Sequence, residues 1–145
     1  MTDLVIPERL LSAGWVKRDS QGFNESVGPF YEYLQGDQIT LGIFVEERHT
    51  NLHIGTLHGG ALMSLADVGL GAGIRPVHGD LCYRCVTASL NVQFLAVARV
   101  GDFVSVTPEI LRSSKQMLFI RGLIKAGNKA VASAEGIWKV MESRN

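Results

Sequence analysis

The sequence predicts an α+β domain in which antiparallel strands pack against one long buried helix. Three observations point there. From Ala61 to Ile74 the chain reads ALMSLADVGLGAGI, with only Ser64 and Asp67 polar, and a helix that is apolar on every side belongs in a core. Segments on both sides of that run alternate apolar and polar residues with the period of two that marks strands. The last segment carries a near-run of tiny side chains at alternate positions, Ala130, Ala132, Ala134 and Gly136, ahead of Trp138 and Val140. That face leaves room for something thick to lie against the sheet, and the central helix is the candidate. With 145 residues one domain is expected over 1–145, residues 1–29 forming an N-terminal helix and a connection.

In chain order, Pro7 to Gly14 reads as a short helix with proline near its start and glycine after its end. Lys17 to Gly28 reads as a polar connection. Ile39, Leu41, Ile43 and Val45 alternate with Thr40, Gly42, Phe44 and Glu46 to give a strand. The central helix follows. After it, Val86, Ala88, Leu90, Val92 and Phe94 are expected on one strand face, with Thr87, Ser89, Asn91 and Gln93 on the other. A strand from about Phe103 to Leu111 and another from Met117 to Lys125 precede a Gly127-Asn128 turn. The final strand then ends near Met141.

The chemistry concentrates on the central helix. A carboxylate in such a run costs several kcal/mol to bury unless partners offset it, so Asp67 reads as a site residue. The run opens on His58-Gly59-Gly60. The first amides of a helix lack intrahelical acceptors and carry the positive end of the dipole. Glycine there lets a ligand oxygen approach the backbone. An oxyanion-binding end and a basic carboxylate together suit attack on an acyl carbonyl. Asp67 lies nine residues after His58, about two and a half turns and about 13 Å along the axis. One chain can hardly bring both to one carbonyl, whereas a two-fold dimer can.

Asn51, then Gly55-Thr56-Leu57-His58-Gly59-Gly60, six residues, and Asp67 resemble the signature of hot-dog-fold acyl-CoA thioesterases. The nearest branch is the PaaI-like one of the phenylacetate pathway, related to 4-hydroxybenzoyl-CoA thioesterases. The resemblance runs from about Phe30 to the C-terminus. It implies a curved antiparallel sheet wrapped around one long central helix, a dimer and commonly a dimer of dimers. It also implies that the Gly59 amide polarises the thioester carbonyl while Asp67 acts from the neighbouring subunit. Asn51 would help to place the carbonyl or the water. Here three residues, Leu52-His53-Ile54, stand between Asn51 and Gly55, where the family usually has two. Thr87, with Ser89 as runner-up, matches the hydroxyl that related thioesterases set beside the Asp to hold water.

Other residues are weighed against plainer roles. The row Thr87, Ser89, Asn91 and Gln93 also reads as an ordinary exposed or intersubunit face. Arg112-Ser113-Ser114-Lys115 lies in a turn that the resemblance places near the nucleotide of coenzyme A, so Arg112, Ser113 and Lys115, with Gly60 beside the carbonyl, are binding candidates. A solvated turn would look the same. Arg75 and Arg84 are further candidates for the phosphates. His58 reads as holding the turn before the helix, and Ser64 as bonding back to the helix. His49, His53 and His58 crowd one loop, but nothing is spaced to complete a metal site. Cys82 and Cys85 read as two reduced thiols. Leu10, Leu11 and Trp15 are candidates to roof the pocket.

Formal net charge is +0, which gives no footprint for nucleic acid or an anionic membrane. The N-terminus MTDLVIPERL carries no signal-peptide pattern, and a cytoplasmic location is expected. There is no Gly-x-Ser-x-Gly elbow, P-loop or dinucleotide fingerprint, and no cofactor is expected. The expected function is hydrolysis of an acyl-CoA thioester to a carboxylic acid and coenzyme A. Its rivals are a non-enzymatic acyl-CoA-binding module and another hot-dog acyl-thioester enzyme, a dehydratase or hydratase.

Overall fold

A computed structural model describes residues 5–142; expectations for the extreme termini fall outside them. The chain opens with helix α1 (Val5–Ser12), a two-residue strand β1 (Val16–Lys17) and helix α2 (Phe23–Val27). Strands β2 (Tyr31–Gln35) and β3 (Gln38–Phe44) form a hairpin closed by Gly36-Asp37. Gly36 adopts φ +62 there, a conformation that glycine enters without steric cost. A 3-10 turn (Glu47–His49) and a small hairpin of β4 (Thr50–Asn51) and β5 (Thr56–Leu57) lead into helix α3 (Gly59–Gly71). Helix α4 (Ile74–His78) and a second 3-10 turn (Gly79–Arg84) continue from it. The chain ends with β6 (Cys85–Phe94), β7 (Phe103–Val106), β8 (Glu109–Ser113), β9 (Met117–Ala126) and β10 (Lys129–Val140).

Among the described residues, eight strands make one antiparallel sheet in the order β1-β2-β3-β7-β9-β10-β6, with β8 also paired to β9. The inner face carries Leu41, Ile43, Val104, Leu118, Ile120, Ile124 and Trp138, all buried against Leu62, Leu65, Ala66 and Leu70 of α3. Each such side chain contributes about 1.5–3 kcal/mol on burial, and together they seat the helix in the sheet's hollow. This is the hot-dog arrangement. Small residues bring the layers together: a β-carbon at Gly122 of β9 would meet the Leu70 side chain of α3 at 3.0 Å.

Several expectations change. The strand foreseen from Phe103 to Leu111 is two strands, because Thr107-Pro108 interrupts it; proline cannot donate to the ladder. Its ring instead packs over Gly73, where a β-carbon would sit 2.8 Å from Pro108 Cγ. The Lys17–Gly28 connection contains α2, and β2 lies in a stretch to which no strand was assigned. The N-terminal helix runs from Val5 to Ser12, beginning two residues ahead of Pro7 and ending before Gly14. Trp15 does not roof a pocket on the helix side. It stacks on Tyr33 (5.7 Å) and edge-on against Phe103 (5.1 Å). Those residues face away from Leu41 and Ile43, on the outer side of the sheet. Leu11 is exposed.

Candidate functional site

The start of α3 is held by its own histidine. His58 is the N-cap, and its Nδ1 accepts the Gly60 amide at 2.8 Å. The His58 carbonyl accepts the Leu62 amide at 3.0 Å, and the His58 amide donates to the His49 carbonyl at 2.8 Å. Between these committed amides, the amide of Gly59 has no acceptor among the described residues. It stands at the positive end of a 13-residue helix. The nearest side chain to a β-carbon at Gly59 would be the Phe94 ring, at 3.8 Å, so an aromatic side chain borders this end of the helix. Ser64 Oγ donates back to the Gly60 carbonyl at 2.9 Å.

Asp67 sits two turns further along α3 and is half-buried. Thr87 Oγ1 donates to Asp67 Oδ1 at 2.5 Å. The alternation read from sequence would have turned Thr87 away with Ser89. A bulge prevents this: Trp138 pairs with Thr87 while its neighbour Ile137 pairs with Ser89, so Ala88 is the extra residue. Two-against-one pairing of this kind re-aims the side chains beyond it. Thr87 therefore lies over the helix with Leu90 and Val92, whose partners are Gly136 and Ala134. Ser89 and Asn91 pair with Ile137 and Glu135 on the outer face. Ser89 lines a depression of about 240 Å³ there, on the other side of the sheet from Asp67.

Within one chain Gly59 and Asp67 are eight residues apart on one helix, about 12 Å along its axis. β6 pairs only with β10 among the described strands and leaves its other edge open. That edge is ten residues long and flanked by exposed Val86, Phe94 and Leu95. An open apolar edge of this kind is a template for pairing with another chain.

The remaining predicted residues are dispersed. Asn51 closes the β4–β5 hairpin: its Oδ1 accepts the His53 amide at 3.1 Å and its carbonyl accepts the Gly55 amide at 2.7 Å. Its side-chain carbonyl is thus engaged in the turn, and the amide nitrogen is left. Arg112 and Ser113 line a groove of about 570 Å³ with Gln35, Val77 and His78, and His78 Nε2 lies 3.0 Å from Ser113 Oγ. Lys115 is exposed in the adjoining turn. Arg75 is committed to Glu32 at 2.8 Å. That bond holds its guanidinium protonated more firmly than usual, so it is a poor candidate for a phosphate; Arg84 is exposed.

Burial pushes the Cys85 thiol up, away from thiolate chemistry, and both cysteines are free. Among the described residues no group of three or more His, Cys, Asp or Glu gathers to hold a metal. No described helix is long and apolar enough to cross a membrane. Two contributors escaped the sequence reading. Phe94 borders Gly59 because β6 ends beside the start of α3. His49, which sequence grouped with two exposed histidines, is buried and bonded on both ring nitrogens; the apolar Val45 just before its turn was the available hint.

Residues 54–133 match the thioesterase superfamily. A Pseudomonas aeruginosa protein named as an esterase is 35% identical over 113 residues, which cover 77% of this chain and 83% of that protein. Acyl-coenzyme A thioesterase 13 of Mus musculus is 33% identical over 79 residues, 52% of this chain and 51% of that one. Among solved structures, a variant of the phenylacetic acid degradation protein PaaI from Thermus thermophilus superposes with TM-score 0.70 at 22% identity, covering 82% of this chain and 98% of that one. A protein from Streptococcus pneumoniae described as a hypothetical thioesterase, solved with coenzyme A, gives TM-score 0.69 at 19% identity over 80% and 88% of the two chains. At those identities the structural likeness speaks for the fold.

Proposed function

The chain belongs to the thioesterase superfamily and is a thioester hydrolase, and we propose that its substrates are acyl-CoA thioesters, cleaved at a site shared by two protomers. The observation that carries this reading is the pairing of Thr87 with Asp67 on the helix whose first amide, Gly59, is uncommitted. The thioester carbonyl oxygen sits on the Gly59 amide. As the carbonyl carbon becomes tetrahedral, its growing negative charge meets that N–H and the helix dipole. Asp67 of the neighbouring protomer supplies the other half.

Thr87 uses its hydroxyl hydrogen on Asp67 Oδ1, so its oxygen is left to accept from a water lying beside Oδ2. Asp67 takes a proton from that water as hydroxide adds to the carbonyl, and the proton then passes to the leaving thiolate. The other route has Asp67 attack directly, giving a mixed anhydride that water opens. His58 keeps the helix start in shape, Gly60 is its anchor, and the Asn51 amide is offered to the carbonyl or the water.

Dimerisation through the open edge of β6 would bring the two α3 helices together. Exposed Leu111, Leu123 and Met117 mark the outer sheet for a dimer of dimers. Ser113, Leu118, Trp138 and Thr87 are register neighbours in one line across the sheet. Three strand spacings, about 14 Å, thus separate the Arg112-Ser113-Lys115 turn from Thr87. That is within reach of the pantetheine arm, with Arg112 and Lys115 meeting the phosphates. The mouse relative's name and the coenzyme A in the Streptococcus structure favour this substrate class. Two free thiols suit the reducing cytoplasm.

Thiol release from a panel of acyl-CoAs tests the reading. Wild type is expected to turn over at least one member, while Asp67→Asn binds it with turnover lower by about 10²–10⁴. Saturable binding without release by wild type would make the protein a binding module. An Asp67→Asn protein with wild-type turnover would remove Asp67 from the chemistry.

A further inference from the structure

His49 takes no part in the reaction as described above, yet it joins α2 to the residue that caps the reacting end of α3. Among the described residues it is one of two buried polar ones, 3% exposed. Its Nδ1 accepts the Glu46 amide at 3.0 Å, which fixes the hydrogen on Nε2; that nitrogen lies 2.6 Å from the Val27 carbonyl and donates to it. Its own carbonyl accepts the His58 amide at 2.8 Å. His58 repeats the pattern one step on, with Nδ1 accepting from Gly60.

Next to it, Arg48 donates to the Ser26 and Gly28 carbonyls and to the Glu46 carboxylate. Three consecutive carbonyls at the end of α2, from Ser26, Val27 and Gly28, are therefore taken by two adjacent side chains of the 3-10 turn. Helix ends leave such carbonyls without intrahelical partners, and here they latch α2 to the segment that enters α3. The Gly59 amide lies between an amide tied to His49 and an amide tied to His58. Its direction is set by both.

We propose that His49 is a positioning residue for the oxyanion donor: as a neutral imidazole bonded at both nitrogens, it locks α2 to the turn before α3 and so aims the Gly59 amide. The proposal rests on the thioesterase reading of Gly59. A donor that only meets charge developing in the transition state affects kcat rather than substrate binding, and misplacement by about 1 Å costs up to about 10²-fold. A merely structural histidine would lower the melting temperature without separating kcat from KM.

The experiment compares wild type, His49→Ala and His49→Gln on the best acyl-CoA of the panel. It also reads the Gly59 amide resonance by NMR. Glutamine retains a donor toward the Val27 carbonyl and loses the acceptor for Glu46. The expected result is a kcat lower by about 10- to 100-fold in His49→Ala with KM within about twofold. His49→Gln should recover part of the loss, and its Gly59 resonance should shift while those of β10 stay in place. If His49→Ala does not fold, the kcat and the resonance of His49→Gln decide. Wild-type kcat in the folded variants, a loss confined to KM, or an unmoved Gly59 resonance would overturn the positioning role and leave the thioesterase intact. A wild type silent on every acyl-CoA would overturn both.

Discussion

In the proposed mechanism, Thr87 and Asp67 set the chemistry at the scale of single residues. A hydroxyl that donates to a carboxylate both orients it and leaves an oxygen facing the place where water must sit. Thr87→Val keeps the shape and removes both functions. Its kcat on an acyl-CoA is expected to fall about tenfold or more with KM little changed; steady-state kinetics read this directly, and an unchanged kcat would mean that Thr87 only fills space. Cys85 makes the opposite point. Its thiol is raised by burial, with the neighbouring Cys82 adding to the shift, so at pH 8 it holds less thiolate than an ordinary cysteine. Mass spectrometry after brief iodoacetamide treatment should find Cys85 labelled more slowly than a free thiol.

At the scale of elements, the long periodic segments were legible in the sequence and the interruptions were not. The central helix announced itself by a 14-residue run with two polar members, and the alternation in β10 placed Ala132, Ala134, Gly136 and Trp138 on the buried face. A bulge has no such signature. Ala88 looks like one more member of an alternating strand, but as the extra residue it shifts the phase and sends Thr87 to Asp67 and Ser89 to the far face. Deleting Ala88 should restore a plain ladder in which Thr87, now directly before Ser89, still pairs with Trp138 and faces Asp67. Turnover should then stay well above that of Thr87→Val, while circular dichroism keeps its strand signal; a loss as large as in Thr87→Val would mean that the bulge itself is needed to set Thr87 on Asp67.

Pro108 is plain in the sequence, but apolar residues continue on both sides of it, so the break between β7 and β8 has no further signal. His49 was visible too, among three histidines of one loop. Only the fold separates the buried one, because α2, which supplies the Val27 carbonyl, lay in a stretch read as polar connection. The Asp67–His58 spacing was legible because it depends on helix geometry alone.

The whole molecule is where that spacing matters. Two groups about 12 Å apart on one helix, and a ten-residue strand with an open edge, both ask for a second copy. Gly59 permits a sharp test. It is the first residue of α3, its predecessor His58 has φ −64 and ψ 138, and the position suits proline by conformation. Gly59→Pro therefore deletes the amide hydrogen and keeps the helix. Alone, it should lose about 10²–10³ in turnover, and Asp67→Asn should be similarly poor.

The decisive measurement is to unfold and refold the two inactive variants together at equal ratio and assay acyl-CoA hydrolysis. Half of the dimers are then mixed, and each mixed dimer has one site with an intact Gly59 from one protomer and an intact Asp67 from its partner. Recovery of about a quarter of wild-type turnover is expected for a two-fold dimer. No recovery, with mixed dimers demonstrated by native mass spectrometry, would mean that Gly59 and Asp67 do not meet across protomers.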